Sequence, residues 1–341
     1  MVVFKRMMAL VAMAAVALTF AACERTITSV EEVQAPQNCF ECHSDQNTFL
    51  VAAYEQWKNS IHASSLNIDR GASAGCAGCH SSEGFVQRAT GQPVTGHENP
   101  TPIHCFTCHA PHSNADFRLR WTSIATSLSG DSFDLGAGNL CVACHQARRD
   151  VGAYVTGRPR LSEHWGPHYS VQGDNLIGTN GYEYSGYSYG ITNHRGATED
   201  GCLDCHFKST SNSVVGGHAF NMRYDLRLED GSTEEILNTA ACEPCHGDID
   251  DFNYDDVQAT ADALAAQLDA LLSTAGLVSG GHPVDGVTTS ADSAGAVWNY
   301  LVYEEDRSHG VHNPNYLIGL LESSIMYMEG NLPQSSTVAR K

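Results

Sequence analysis

Six times the chain writes Cys-x-x-Cys-His, at Cys39/Cys42/His43, Cys76/Cys79/His80, Cys105/Cys108/His109, Cys141/Cys144/His145, Cys202/Cys205/His206 and Cys242/Cys245/His246. This spacing is the signature of covalent c-type haem attachment. Positions i, i+3 and i+4 share one face of a helical turn. Two thiols on that face can bond the two vinyl groups of a porphyrin, and the following histidine can reach its iron. Paired zinc knuckles also use Cys-x-x-Cys, but they do not need a histidine after every knuckle. The sequence therefore predicts six covalently bound c-type haems.

Twelve of the thirteen cysteines belong to these motifs, which leaves none for a disulfide framework. The thirteenth, Cys23, closes an N-terminal segment with Lys5 and Arg6 followed by an apolar run over 7–22. That run is too short for a membrane span and ends in small residues, so 1–22 reads as a secretory signal. Phe20-Ala21-Ala22-Cys23 resembles a bacterial lipoprotein box, with Phe20 where leucine is usual. Cys23 is thus expected to carry a lipid anchor. The predicted location is the outer membrane or cell surface, or the extracellular space, with the periplasm as the lesser choice. Loss of 1–22 removes two basic residues and no acid, moving the net charge from −20 to −22. Such a chain should repel nucleic acid, and its charge serves solubility.

Aromatic residues are sparse and glycine is abundant, and many segments carry neither helical nor strand periodicity. A side-chain core alone would be thin for this length, and large flat apolar porphyrins would replace much of it. The expected fold is mainly short α-helices and irregular loops wrapped around a packed haem chain, with little β-sheet. The expected division is 1–22 signal, 23–250 haem-bearing domain and 251–341 haem-free helical region packed back on it. In that last region Val257, Ala261, Leu264, Leu268 and Leu271 keep helical spacing over 255–274. A second helix is expected from near Ser290, and a third from Asn313 as N-cap with Pro314 at its first position and Gly330 as its stop. The acidic stretch 248–256 lacks the calcium-loop pattern and reads as a solvated face. The longest gap between motifs holds a Gly/Tyr-rich segment, 173–190, which reads as a surface loop. The alternative is tyrosines set against a haem edge or a subunit contact.

Beyond the six motif histidines stand eleven others, and six would close the second axial position of every iron. His62 ends an amphipathic segment bearing Leu50, Val51, Tyr54, Trp57 and Ile61. His112 follows His109 too closely to serve the same iron and would reach a neighbouring one. His218 lies in Gly-Gly-His, where glycine lets backbone approach a flat group. His312 opens the last helix, and His168 and His194 flank the Gly/Tyr segment. These six are the expected distal ligands, with His104 and His164 in reserve and His97, His282 and His309 as surface residues.

Trp57-x-x-Ser60-x-His62-Ala63, Cys105-x-x-Cys108-His109-x-Pro111-His112, Gly166-Pro167-His168, Gly216-Gly217-His218-x-Phe220 and Gly310-Val311-His312-Asn313-Pro314-x-Tyr316 resemble pieces of extracellular multihaem cytochromes. Those proteins serve bacterial respiration on minerals and electrodes, and some polymerise into haem-stacked filaments. Several pieces also resemble the cytochrome c-554 group and the multihaem nitrite and hydroxylamine enzymes, although no Cys-x-x-Cys-Lys site is present. The resemblance implies distal ligation at His62, His112, His168, His218 and His312. It also implies electron carriage through bis-histidine haems to other redox proteins or extracellular acceptors, and a possible homopolymer. The alternative is a reductase of a small nitrogen or sulfur oxyanion at one haem with an open position.

Overall fold

The computed structural model describes residues 47–114 and 117–331. The first motif (Cys39, Cys42, His43) and the expected signal and anchor at Cys23 lie outside these residues. Everything described belongs to one compact unit that begins at Asp45.

The C-terminal third follows the periodicity of its sequence. The longest helix, α1 (Val257–Thr274), buries Ala261, Ala265, Leu268 and Leu272 at i, i+4 and i+3 intervals. The next, α2 (Ala291–Asp306), is capped by Ser290, whose side chain accepts from the Ser293 N–H. Finally α3 (Pro314–Met328) begins at the Asn313 cap, with proline where a donor N–H would be unsatisfied in any case. The three pack together over Leu268, Leu272, Trp298, Leu317, Leu320 and Leu321, all with no exposed surface. Each such side chain contributes about 2 kcal/mol through removal from water.

That core recruits the Gly/Tyr segment, which corrects the reading of 173–190 as a surface loop. Tyr182 and Tyr184 are buried among the C-terminal helices. The Tyr182 N–H donates to Asn299 Oδ1 at 2.7 Å, and Asn299 Nδ2 donates back to the Tyr182 carbonyl at 2.8 Å. The Tyr184 hydroxyl donates to the Asp292 carbonyl at 2.7 Å, and Trp298 Nε1 donates to the Asn180 carbonyl at 2.8 Å. Gly295 makes the approach possible, since a Cβ there would stand 2.1 Å from the Tyr182 ring. Among the described residues the largest apolar cluster runs from Ala147 to Ile325 and takes in none before Ala147.

The motif-bearing part is built differently. Its helices are short, among them Thr48–Lys58, Ala74–His80, Ser82–Ala89 and Cys202–His206. Its apolar clusters are small, one around Phe133, Leu135 and Val142 and one around Phe85, Leu140 and Ala143. Sheet among the described residues is confined to two-stranded antiparallel pairs. In the largest, Arg223–Arg227 pairs with Thr233–Leu237. This is the loop-rich helical architecture expected of a chain wrapped on large prosthetic groups.

Candidate haem sites

Each described motif begins on a helical turn, which ends at Cys108 in the third motif and at Val142 in the fourth. The His109, His145 and His246 amides donate to the carbonyls of Cys105, Cys141 and Cys242, each at 2.9 Å. This closes the i to i+4 turn and puts the first thiol and the imidazole on one face. Gly201, with φ +52°, brings the chain into the fifth motif, where a Cβ would meet Leu135 at 2.8 Å.

The attachment cysteines are not equally enclosed. Among the described residues Cys76, Cys79, Cys108, Cys141, Cys144, Cys202, Cys205 and Cys242 are partly buried, whereas Cys105 and Cys245 are exposed. The polypeptide itself does not cover these two thiols. The reason for Cys245 is local. Its turn, Glu243–His246, contains no buried residue and belongs to none of the apolar clusters, while Cys108, Cys144 and Cys202 each pack against one. Cys105 opens its turn on the outer side, next to exposed Phe106. Exposure leaves the order of the motif intact, since His246 still closes its turn on Cys242 and faces a histidine from elsewhere in the chain.

Five motif imidazoles each face the ring of a histidine from outside the motifs. Ring centres stand 6.2 Å apart for His62 and His145, 6.4 Å for His80 and His168, and 6.4 Å for His109 and His218. They stand 6.2 Å apart for His194 and His246 and 6.2 Å for His206 and His312. Two imidazoles bonded across one metal ion at about 2 Å each have centres about 6 Å apart. Aromatic rings in direct contact also fall within about 4.5–7 Å. What distinguishes these pairs is their selection and uniformity, since each joins one motif histidine to one other. Interplanar angles vary from 40° to 84°, as free rotation about a shared ligand–metal–ligand axis allows.

The hydrogen bonding agrees with metal ligation. His194 Nδ1 lies 2.8 Å from the Val311 carbonyl and His206 Nδ1 2.9 Å from the Phe220 carbonyl. His145 Nδ1 lies 3.2 Å from Gln172 Oε1, and His109 Nδ1 bonds the Phe117 carbonyl. In this arrangement Nδ1–H donates and the Nε2 lone pair is left for a metal. Burial pushes His62 and His206 down to about 4, with the facing or neighbouring histidine adding to the effect. Burial followed by Arg148 does the same to His168. These rings are neutral at physiological pH, the form that binds iron. The donor set therefore fits haem, which would supply one-electron iron chemistry at each pair.

The distal histidines are held by backbone devices. Trp57 Nε1 donates to the Ile103 carbonyl at 3.0 Å and fixes the helix end that leads to His62. The His218 N–H donates to Gln56 Oε1 at 3.0 Å, and Gly216 and Gly217 precede it at φ +66° and +48°. A Cβ on Gly216 would stand 2.0 Å from the Lys208 carbonyl oxygen. His168 itself has φ +86°. Three consecutive residues serve two sites at once. The Val311 carbonyl holds His194, His312 faces His206, and Asn313 Oδ1 accepts from Thr192 at 2.9 Å while capping α3.

The remaining histidines divide as follows. His112 leans on Phe106 at 5.7 Å and is not set opposite any of the five described motif histidines. The remaining motif histidine, His43, lies outside the described residues. His104 caps the Cys105–Cys108 turn, accepting from the Phe106 N–H at 3.2 Å. His164 is exposed. His282 and His309 are exposed as expected, His309 beside Asp262 at 2.7 Å. His97 is half-buried, with its Nε2 enclosed, contrary to its reading as a surface residue. Sequence reasoning passed over Gln172 and Asp306, which stand behind His145 and His312. No local pattern marks them, because their targets lie elsewhere in the chain or across a reversal of it.

The sites adjoin one another. The thiols of Cys79 and Cys144 are in contact, and Cys79 Sγ lies 3.9 Å from the Ala143 carbonyl while Cys144 Sγ lies 4.0 Å from that of Gly78. The Cys141 and Cys202 thiols are likewise in contact. Phe220 stands 5.6 Å from His62, Phe207 4.9 Å from His218, and the two phenyl rings 5.8 Å apart.

Repeated attachment motifs, facing imidazoles and a loop-rich helical fold define a multihaem c-type cytochrome. No protein-family profile matches the chain. The C-type polyheme cytochrome OmcC of Geobacter sulfurreducens is 24% identical over 247 residues, covering 60% of this chain. The match takes up 32% of that relative, so the chain spans about a third of its length. Among solved structures, the outer cell wall cytochrome OcwA aligns with 82% of this chain and 50% of its own, at 20% identity and a TM-score of 0.49. The undecaheme cytochrome from the S-layer of Carboxydothermus ferrireducens aligns with 84% of this chain and 40% of its own, at 16% identity and a TM-score of 0.40.

Proposed function

We propose that this chain is an electron conduit of six bis-histidine haems. The observation that carries the reading is the set of five motif histidines facing five others at 6.2–6.4 Å. The axial pairs are His62 with His145, His80 with His168, His109 with His218, His194 with His246, and His206 with His312. His112 keeps its place as the expected sixth distal ligand. Electrons hop between adjoining irons, whose potentials follow from ligand, burial and nearby hydrogen bonds. The thiol contacts between the second and fourth motifs and between the fourth and fifth support close packing of the sites. The chain is exported through its N-terminal signal, is anchored by lipid at Cys23, and delivers electrons to redox partners or acceptors at the cell exterior. Polymerisation into a filament extends this reading and rests on the family resemblance alone.

Six covalent haems per chain are expected by intact mass, and the oxidised protein should be low-spin throughout by electron paramagnetic resonance. It should bind carbon monoxide poorly and not turn over nitrite. His168→Ala should convert one haem to high-spin and leave the rest. A wild-type high-spin haem with nitrite turnover would replace the conduit by a reductase.

A further inference from the structure

The His206–His312 pair differs from its neighbour in what stands behind one of its two rings. His312 Nδ1 lies 2.7 Å from Asp306 Oδ1, an ion-pair geometry in which the carboxylate side chain has no exposed surface. His145, in the adjoining pair, has the neutral amide of Gln172 in the same role, at 3.2 Å. Both supports come from one place. Asp306 ends α2, and Gln172 Nε2 donates to the Glu305 carbonyl at 2.8 Å. Arg307 follows with φ +59° and turns the chain back so that His312 lies over Asp306. The second carboxylate oxygen accepts from the Ser308 hydroxyl and, at 3.3 Å, from its N–H.

A carboxylate accepting Nδ1–H makes the imidazole a more basic, more electron-rich ligand, and it does so more strongly where water is excluded. An electron-rich axial ligand favours the oxidised iron. We propose that Asp306 is a positioning residue that lowers the reduction potential of the His206–His312 haem and sets a potential step between it and the adjoining His62–His145 haem. This rests on the axial-ligand reading of those pairs.

The test is a potentiometric titration of the haem-loaded protein followed by electron paramagnetic resonance. His312→Ala first identifies the low-spin component that belongs to this pair. Asp306→Asn keeps an acceptor oxygen and nearly the same size. It should raise the midpoint of that component alone, with the haem still low-spin. An unchanged midpoint, or conversion to high-spin, overturns the proposal and makes Asp306 a structural support only. If Asp306→Asn does not fold, Ser308→Ala decides. Removing that hydroxyl leaves the carboxylate more charge for the imidazole, so the midpoint should fall, and no shift overturns the proposal. If His312→Ala removes no low-spin component, the ligand reading fails and the proposal with it. An intact ligand control with an unmoved Asp306→Asn midpoint rejects the proposal alone.

Discussion

The C-terminal helices and the motif-bearing loops solve the same problem by opposite means. In α1, α2 and α3 the core is made of side chains, with Trp298, Leu317 and Leu320 wholly enclosed. In the motif region the buried clusters are small, and Phe49, Ile61 and Leu66 are each more than 60% exposed. A chain that lacks its own core must gain apolar contact from something it binds. One region is thus a protein fold in the ordinary sense, and the other is a set of brackets for a cofactor array.

The strongest way to break that contrast is to withhold haem. Protein expressed without haem attachment should lose hydrogen-exchange protection across most of 47–145 while α1, α2 and α3 keep theirs, read by mass spectrometry. Equal loss in both regions would end the comparison. Next in size, Trp298→Ala should destabilise the C-terminal core by about 3–5 kcal/mol in denaturant titrations. The low-spin signals of the His109–His218 pair, which lies outside that apolar cluster, should survive it.

A smaller effect sharpens the seam between the regions. Glu305 is buried at the end of α2, and burial, partly offset by the Tyr169 N–H and by Arg149, raises its carboxyl to about 7 from the ordinary 4.5. A raised value means the folded chain holds the proton more tightly than the unfolded one. The contribution is therefore complete below about pH 4.5 and is lost as pH rises through about 7. The loss is on the order of 2–3 kcal/mol. Thermal melts of Glu305→Gln should be flatter over this window and higher than wild type at pH 8. Identical pH profiles would remove Glu305 from the account.

The contrast also explains what could be read from the sequence. The motif is five residues long and local, so its chemistry is visible without a fold. How far the protein covers each thiol is not local, which is why exposed Cys245 and buried-side Cys144 look alike in the sequence. The C-terminal helices announce themselves by period and by the Asn313–Pro314 punctuation, and their starts lie within two residues of expectation. Context marks His62, His168, His194, His218 and His312 in the sequence, and the fold sets each of these rings opposite a motif ring. Which ring faces which was not legible, because His62 meets His145 from 83 positions away. The tyrosine segment was misread for a related reason. Glycine-spaced tyrosines look like turns, and their burial is decided by Gly295 and Asn299, more than a hundred positions away. The β-hairpin over 223–237 went unread as well, since the alternation of Tyr224 and Leu226 is confined to one five-residue strand and the partner strand is polar until Ile236.

Residues 311–313 carry a consequence for how this chain can vary. Their backbone and side chains hold His194, present His312 and fasten Thr192 at the same time. One inserted or deleted residue there would rotate three attachments out of phase together and disturb two iron positions at once. The exposed turn at Gly280 and Gly281 joins a two-residue hairpin and binds nothing of the kind, so added length there would be absorbed locally. Tolerance to changes of length is therefore set by how many distant partners share a stretch of backbone, and it is low just before the last helix.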